Sequence, residues 1–362
     1  MVKALVIGGG IAGPVTALAL RKAGIDSAVF EAYPTGADDI GAFLTIMHNG
    51  LDALRAIDAE HVVVDHSFAA DGVDVHTGDG TLVSENRWDT GGITGPRTLR
   101  RAELYRALHD ELRRRGIAVE HGKRLVGVTA GARAKFADGT TAEGDLLVGA
   151  DGLHSATRRI IDPDAPRPRY TGLNIFYGYA TGLGPTTAPG RYRMIAGSRG
   201  FFGHSTAPDG TTWWFARTPG PERHGGTPDE HRAHAAAFFA EDDSRAREII
   251  LAEGEIHASN AYDVPTTPVW HTDRVVLVGD AAHAASPAAG QGASMALEDS
   301  VTLARCLRDL SSPREAFEAY ERLRRERVEA LVEMSAELGA NRSVATNSFY
   351  AHHIDWDSPV QL

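Results

Sequence analysis

Three glycine-centred clusters carry the residue types that could hold a phosphorylated, redox-active ligand. The first is Gly8-Gly9-Gly10-Ile11-Ala12-Gly13. In a G-x-G-x-x-G turn the first glycine (Gly8) allows the tight bend. The second (Gly10) lets the backbone approach a pyrophosphate, and the third (Gly13) permits close packing of the next helix on its strand. The amides of Ile11 and Ala12, at the positive end of that helix, face the phosphates. Glu31 stands eighteen residues beyond Gly13, where a carboxylate accepts hydrogen bonds from an adenosine ribose and repels a 2′-phosphate. This cluster points to a dinucleotide and leaves FAD and NAD both open.

The second cluster is Gly149-Ala150-Asp151-Gly152, followed by Ser155 and Arg158. It also reads as a plain strand-to-helix turn with Ser155 as N-cap. The third is Gly279-Asp280-Ala281-Ala282-His283, with Pro287, Gly290-Gln291-Gly292 and Glu298-Asp299 downstream. Asp280 at a strand end suits acceptance from a ribityl hydroxyl. Gly290 to Gly292 open a helix whose amides can face an electron-rich carbonyl or a reduced, anionic ring. His283 reads as a hydrogen-bonded structural histidine. His231 and His234, three apart on a helix, lack cysteine or carboxylate company at ligand spacing and read as surface residues, so no metal site is expected. The single cysteine, Cys306, excludes an internal disulfide and redox chemistry through a cysteine pair. No Ser-His-Asp order or paired-carboxylate arrangement competes.

The elements that must position these clusters follow from hydrophobic patterning. Residues 2 to 7 are a buried-strand run, 12 to 23 an Ala/Leu-rich helix ending at Gly24, and 27 to 30 a second strand, which together make a β-α-β unit. Helical patterns cover 47–57, 101–115 and 291–310, and an amphipathic helix opens at Pro313 and runs to about 338. Short strands with turn signals span 117–150, an aromatic and glycine-rich meander spans 170–218, and 275–278 is again a buried strand. The expected fold is α/β and interleaved. Residues 1–70, 98–168 and 268–340 form a discontinuous Rossmann-like nucleotide-binding domain. Residues 71–97 and 169–267 form an inserted antiparallel-sheet substrate domain, and 341–362 are a tail. With 362 residues and a net charge of -11, nucleic acid and anionic membrane are poor partners. No apolar run approaches a membrane span, and the protein reads as cytoplasmic. The absence of a second G-x-G-x-x-G counts against a standing second dinucleotide domain.

In this order and spacing the clusters resemble the class A, single-component flavoprotein monooxygenases with a para-hydroxybenzoate-hydroxylase-type fold. The second cluster is similar to that family's "DG" motif and the third to its "GD" motif. Arg101-Ala102-Glu103-Leu104 is similar to its Arg-x-x-Leu, and Tyr320 to Arg327 resembles the start of its last long helix. The likeness covers roughly residues 2 to 335 and is weakest over 60–95 and 170–265. It departs at Asp38-Asp39-Ile40-Gly41, where many members place an arginine.

The resemblance implies bound FAD. Gly8, Gly10, Ile11, Ala12 and Gly13 would hold its pyrophosphate, Glu31 the ribose and Asp280 the ribityl chain. Arg101 would contact FAD, and Leu125 would lie against the adenine. Pro287, Gly290 and Gly292 would sit beneath the isoalloxazine, while Asp151 and Arg158 would serve FAD and NAD(P)H. It further implies that NADPH or NADH binds transiently, that O2 adds to reduced FAD, and that a C4a-hydroperoxyflavin hydroxylates an aromatic or polycyclic small molecule, in a monomer or homodimer. Alternatives are Baeyer-Villiger or epoxidising chemistry, a flavin reductase, a halogenase, or a non-catalytic flavin-binding module. Trp213-Trp214-Phe215-Ala216 does not match the halogenase Trp-x-Trp-x-Ile-Pro stretch.

Candidate substrate contacts are Phe176, Tyr177, Met194, Phe201, Phe202, His204, Trp213 and Trp214. Strand alternation turns about half of them to each face, which leaves the pocket liners open. The tail, with Phe349, Tyr350 and Trp356, could cap the pocket, join a partner subunit or be disordered.

Overall fold

A computed structural model describes residues 2–35, 42–88, 94–129, 131–340 and 347–361; Asp38 to Gly41 lie outside the described residues. The strand β1 (Lys3–Ile7) is apolar from Ala4 onward and fully buried there, as a strand covered on both faces must be. It pairs in parallel with β2 (Asp26–Phe30) on one side and Leu146–Gly149 on the other. Val275–Leu277 and Ala118–Glu120 complete a five-stranded parallel sheet. In its register Ile7, Gly149 and Leu277 lie side by side. The three glycine clusters therefore leave the sheet together, at the carboxyl ends where α/β folds bind ligands.

The helix α1 (Ala12–Lys22) follows β1 and ends with Arg21 and Lys22 in its last turn, which suits the dipole. It packs against the helix Gly292–Asp309, tying the two ends of the chain together. The helix Pro313–Gly339 starts with proline at its first position, and Ser312 Oγ accepts from the Glu315 amide at 3.3 Å. A buried ionic cluster clamps these two long helices. Arg324 Nε donates to Asp299 Oδ1 at 2.7 Å and its Nη1 to Glu298, which also accepts from Arg327 at 2.9 Å. Burial alone would raise the Asp299 carboxyl, but His283 and Arg324 outweigh it and hold it well below the usual range.

The second large sheet has seven strands, in the order Gly254–Asp263, Arg169–Ala180, Thr212–Pro219, Phe201–Thr206, Arg191–Ala196, Gly72–Thr77 and Leu82–Arg87. It is antiparallel except where Arg191–Ala196 runs parallel to Gly72–Thr77. One face is covered by the helices Pro228–Ala237, which carries His231 and His234, and Ala246–Leu251, which has no counterpart among the elements expected from sequence. The first of them is signalled locally by a Thr227/Glu230 capping box and Pro228, followed by alanines rather than a strong apolar stripe. His231 and His234 are accordingly half-buried rather than on the surface: their rings lie 6.0 and 5.6 Å from Phe176.

The tail docks on the nucleotide-binding half. Ile354 is buried in the main core, and its amide donates to Asp52 at 2.7 Å. The Ser358 carbonyl accepts from Arg305 at 3.0 Å, and Trp356 stacks near Lys22 and Arg308. Among the described residues no helix is long and apolar enough to cross a membrane.

Candidate functional site

Gly8 and Gly13 of the first cluster are each required by a close backbone contact, whereas Gly10 is not. Gly8 has a φ of +111°, and a Cβ there would lie 2.4 Å from the Ala150 carbonyl oxygen. At Gly13 a Cβ would lie 1.9 Å from the Gly8 carbonyl oxygen. At Gly10 the nearest atom to such a Cβ is Nη2 of Arg101, at 3.9 Å. Gly10 thus borders open space on one side and a guanidinium on the other. Ile11, the N-cap of α1, makes no side-chain cap hydrogen bond, which leaves first-turn amides available to an anion. Glu31 is buried, accepting from the amides of Gly9 at 2.7 Å and Tyr33 at 2.9 Å.

The third cluster meets the first. A Cβ on Gly279 (φ +57°) would lie 3.2 Å from Ala12 Cβ. Thr16 Oγ1 donates to Ser300 Oγ at 2.9 Å, and Ser300 Oγ donates to the Ala12 carbonyl at 3.2 Å. Asp280 sits deep in the cleft, open to solvent on one side and walled by protein on the others. Burial raises its carboxyl, against the opposing pull of His283 and Arg101. Its Oδ1 is 4.0 Å from where a Cβ on Gly292 would stand, so the Gly290 to Gly292 loop lies directly beside it. Gly290 is left-handed at φ +63°, ending the turn Pro287–Ala289. Near this loop Gln291 is buried with Nε2 unpartnered. Asn49 donates to Gln291 Oε1 at 3.0 Å while its own Oδ1 is unpartnered, and so is His48 Nε2. Neither His48 nor Asn49 stands out in the sequence. Amide-lined turns, a guanidinium, a cleft carboxyl and unpartnered buried polar atoms beside a glycine loop fit an adenine-flavin dinucleotide.

The second cluster supports the others from behind. Asp151 accepts from Ser155 Oγ, from the Thr157 amide at 2.9 Å and from Thr157 Oγ1 at 3.0 Å. Its carboxylate therefore caps the short helix Ala156–Ile161, with Ser155 as N-cap. Arg158 is buried and donates to the carbonyls of Ala281 at 2.9 Å and Leu153 at 2.6 Å, fixing the backbone just after Asp280. Leu125 is 5% exposed and packs in a core with Phe30 and Phe136. His283 pairs with Asp299 and lies 5.7 Å from Trp270, a structural setting.

The pleat of the seven-stranded sheet sorts the aromatic residues. Phe176, Phe202 and Trp214 belong to the sealed core under the helices Pro228–Ala237 and Ala246–Leu251. His204 is on the same side, 5.7 Å from Phe202 and hydrogen-bonded to Thr186 at 3.1 Å, and burial lowers it to about 3. These four candidate substrate contacts consequently face away from the cleft. Trp213 and Tyr179 face the other way, against Phe43 and Phe68. Met194 lies on that side too, covering Gly203 together with Phe215. This second face looks onto the glycine clusters. Arg100 stacks 4.0 Å over Tyr179, and Arg101 acts electrostatically on both Tyr177 and Asp280. The last long helix closes in at Gly339, where a Cβ would stand 3.2 Å from Leu173 and 3.9 Å from Ala288. Phe43, Tyr179 and Phe215 were not singled out from sequence; only the i+2 spacing of Trp213 and Phe215 hinted at a shared face. A separate cavity of about 110 Å³, bordered by Asn174, Arg223 and His231, lies on the helix-backed side, away from the clusters.

This arrangement defines a flavin-binding oxidoreductase: a dinucleotide cleft on a parallel sheet, roofed by the aromatic face of a second sheet. Residues 1–335 match the family described as "FAD binding domain", and the chain belongs to it. It is 31% identical over 351 residues to the 3-amino-4-hydroxybenzoate 2-monooxygenase of Streptomyces cremeus, covering 89% of this chain and 83% of that protein. It is 30% identical over 355 residues to the FAD-dependent urate hydroxylase of Mycolicibacterium vanbaalenii, covering 91% and 86%. The crystal structure of Klebsiella pneumoniae HpxO complexed with FAD and uric acid superposes with a TM-score of 0.84 at 27% identity, over 93% of this chain and 88% of that one. The chain is an FAD-dependent monooxygenase of the class A aromatic hydroxylases.

Proposed function

We propose that this monooxygenase acts on a flat aromatic small molecule held between the Met194/Trp213 face of the seven-stranded sheet and the loop Pro287 to Gly292, with NADPH or NADH as transient reductant and O2 as oxidant. The observation that carries this reading is the convergence of residues 8–13 and 279–292 on one cleft opposite an aromatic sheet face. Bound FAD supplies the redox chemistry, accepting a hydride and activating oxygen. In the same reading Gly8, Gly10, Ile11, Ala12 and Gly13 receive the pyrophosphate with Arg101, Glu31 takes the ribose, and Asp280 the ribityl chain. Asp151 and Leu125 act by holding the frame, because the Asp151 carboxylate caps a helix and Leu125 is core. Residues 71–97 and 169–267 serve as the substrate domain, since every strand of the seven-stranded sheet falls within them.

The aromatic roof of Phe43, Trp213 and Phe215 shields the reacting site, and shielding suppresses release of hydrogen peroxide. The net charge of -11 supports a small-molecule partner rather than nucleic acid. The test is NAD(P)H oxidation by the FAD-loaded enzyme against a panel of single-ring and polycyclic aromatics, with product mass. A product heavier by one oxygen atom is expected. NAD(P)H oxidation that yields only peroxide across the panel would refute hydroxylation as the activity.

A further inference from the structure

Of the four buried arginines among the described residues, three are spoken for. Arg158 donates to backbone carbonyls, Arg191 to Asp74 and the Asn86 carbonyl, and Arg324 to Glu298 and Asp299. Arg217 is the exception. It is 8% exposed, yet Nε and Nη1 are buried without a hydrogen-bond partner. Burial lowers the guanidinium to about 10, so it stays charged at neutral pH.

Its place in the fold gives that charge a purpose. In the strand Thr212–Pro219 it is two residues beyond Phe215 and four beyond Trp213, so it stands on the cleft-facing side. It pairs laterally with Phe201 and Ile175 and stacks 4.1 Å over the Phe201 ring. Phe201 is 6.3 Å from Phe215, which is 6.3 Å from Phe43. A ring face offsets only part of the cost of desolvating a cation. A planar guanidinium with free N–H groups among aromatic rings is matched to a flat molecule bearing a negative oxygen.

We propose that Arg217 anchors the substrate, and that the substrate is an aromatic anion whose carboxylate or ionised ring hydroxyl accepts from the free guanidinium N–H groups. This rests on the reading of the cleft as the substrate site of a flavin enzyme.

The test titrates the FAD-loaded full chain with two pairs of probes: benzoate against benzamide, and pentafluorophenolate against pentafluoroanisole. Binding is read from the flavin difference spectrum and by calorimetry. In at least one pair the anion binds about tenfold or more tightly than its neutral partner, and the pair that responds identifies the kind of oxygen. Arg217→Gln abolishes the preference while keeping flavin content and the affinity for the neutral partner, and Arg217→Lys keeps part of it. The ligand-free Arg217→Gln holoenzyme melts no lower than the parent, because it loses an uncompensated buried charge. Absence of an anion preference in both pairs would overturn the inference, as would its persistence in Arg217→Gln or a lowered melting point of that variant. A wild-type protein that takes up no flavin would sink the cofactor reading instead. The wild-type probe pairs decide the matter even where a variant does not fold.

Discussion

Gly10 and Gly13 make opposite demands, and substituting each with alanine separates cofactor binding from folding. At Gly13 the new Cβ would stand 1.9 Å from the Gly8 carbonyl oxygen and 3.4 Å from Val6 Cγ1. The first contact must open by roughly 1 Å to reach an acceptable distance, and both partners are backbone, so no side chain can rotate away. Alanine gains about 1 kcal/mol of helix propensity over glycine, but overpacking of this kind costs about 1–3 kcal/mol and more when backbone must move. The clash wins, and Gly13→Ala is expected to lose about 2 kcal/mol, roughly 3 °C in Tm for a chain of 362 residues. At Gly10 the conformation is not left-handed and nothing lies within 3.9 Å of the added carbon. The apoprotein should melt unchanged or slightly higher, because alanine restricts the unfolded chain by about 0.4–1 kcal/mol. The carbon does occupy the space assigned to the pyrophosphate, and a 1–3 kcal/mol overlap weakens FAD by about 5- to 150-fold. Thermal melts of both apoproteins and FAD reconstitution followed by fluorescence quenching read the two effects independently. A Gly10→Ala protein with wild-type FAD affinity, or a Gly13→Ala protein with an unchanged melt, would refute the reasoning.

Burial of His204 ties stability to pH. Its folded value of about 3 lies below the unfolded 6.5, so its contribution is complete above pH 6.5 and is lost as pH falls and the unfolded chain alone takes up the proton. At pH 5 the loss is about 2 kcal/mol. Denaturation at pH 7 and pH 5 should show a smaller drop in His204→Gln, and equal drops would contradict the assignment. Cys306 is fully buried, with its thiol pushed up to about 12 by desolvation. It should resist alkylation in the native enzyme and react completely on unfolding; labelling within minutes under native conditions would show the helix Gly292–Asp309 to be open. Arg324→Ala leaves Glu298 and Asp299 short of a buried counter-charge and should cost about 3–5 kcal/mol. A melt within 1 °C of wild type would show the cluster to be dispensable.

The cofactor half was legible because its constraints are local. A tight turn, a close helix-strand approach and a left-handed loop each demand glycine at a fixed position, and Gly8, Gly13 and Gly290 meet them in the structure. Helix ends at Gly24, Gly116 and Pro313 were equally local. The aromatic half was not legible, for a physical reason. Alternation divides Phe176, Tyr177, Trp213 and Trp214 into two sets, but which set faces the cleft depends on the helices Pro228–Ala237 and Ala246–Leu251 sealing the other side. The first of those helices carries alanine and histidine rather than a strong apolar stripe, and the second is only six residues long. Arg217 escaped notice too, because a lone arginine at a strand end reads as surface until its neighbours are known.

The order of the chain follows from the same geometry. β1, Leu146–Gly149 and Val275–Leu277 are parallel neighbours, and parallel neighbours require crossovers. The long crossover between Gly149 and Val275 carries most of the seven-stranded sheet, so that sheet emerges at the carboxyl edge where the glycine clusters open. A ligand that touches both residues 8–13 and 279–292 therefore bridges segments some 270 residues apart in sequence. Because such a ligand binds only the folded chain, it stabilises the whole fold by mass action: at a hundred times its Kd the gain is about 2.7 kcal/mol. Flavin uptake and global stability should thus rise together, and a variant that loses FAD through Gly10 should lose this increment while keeping the melt of the apoprotein.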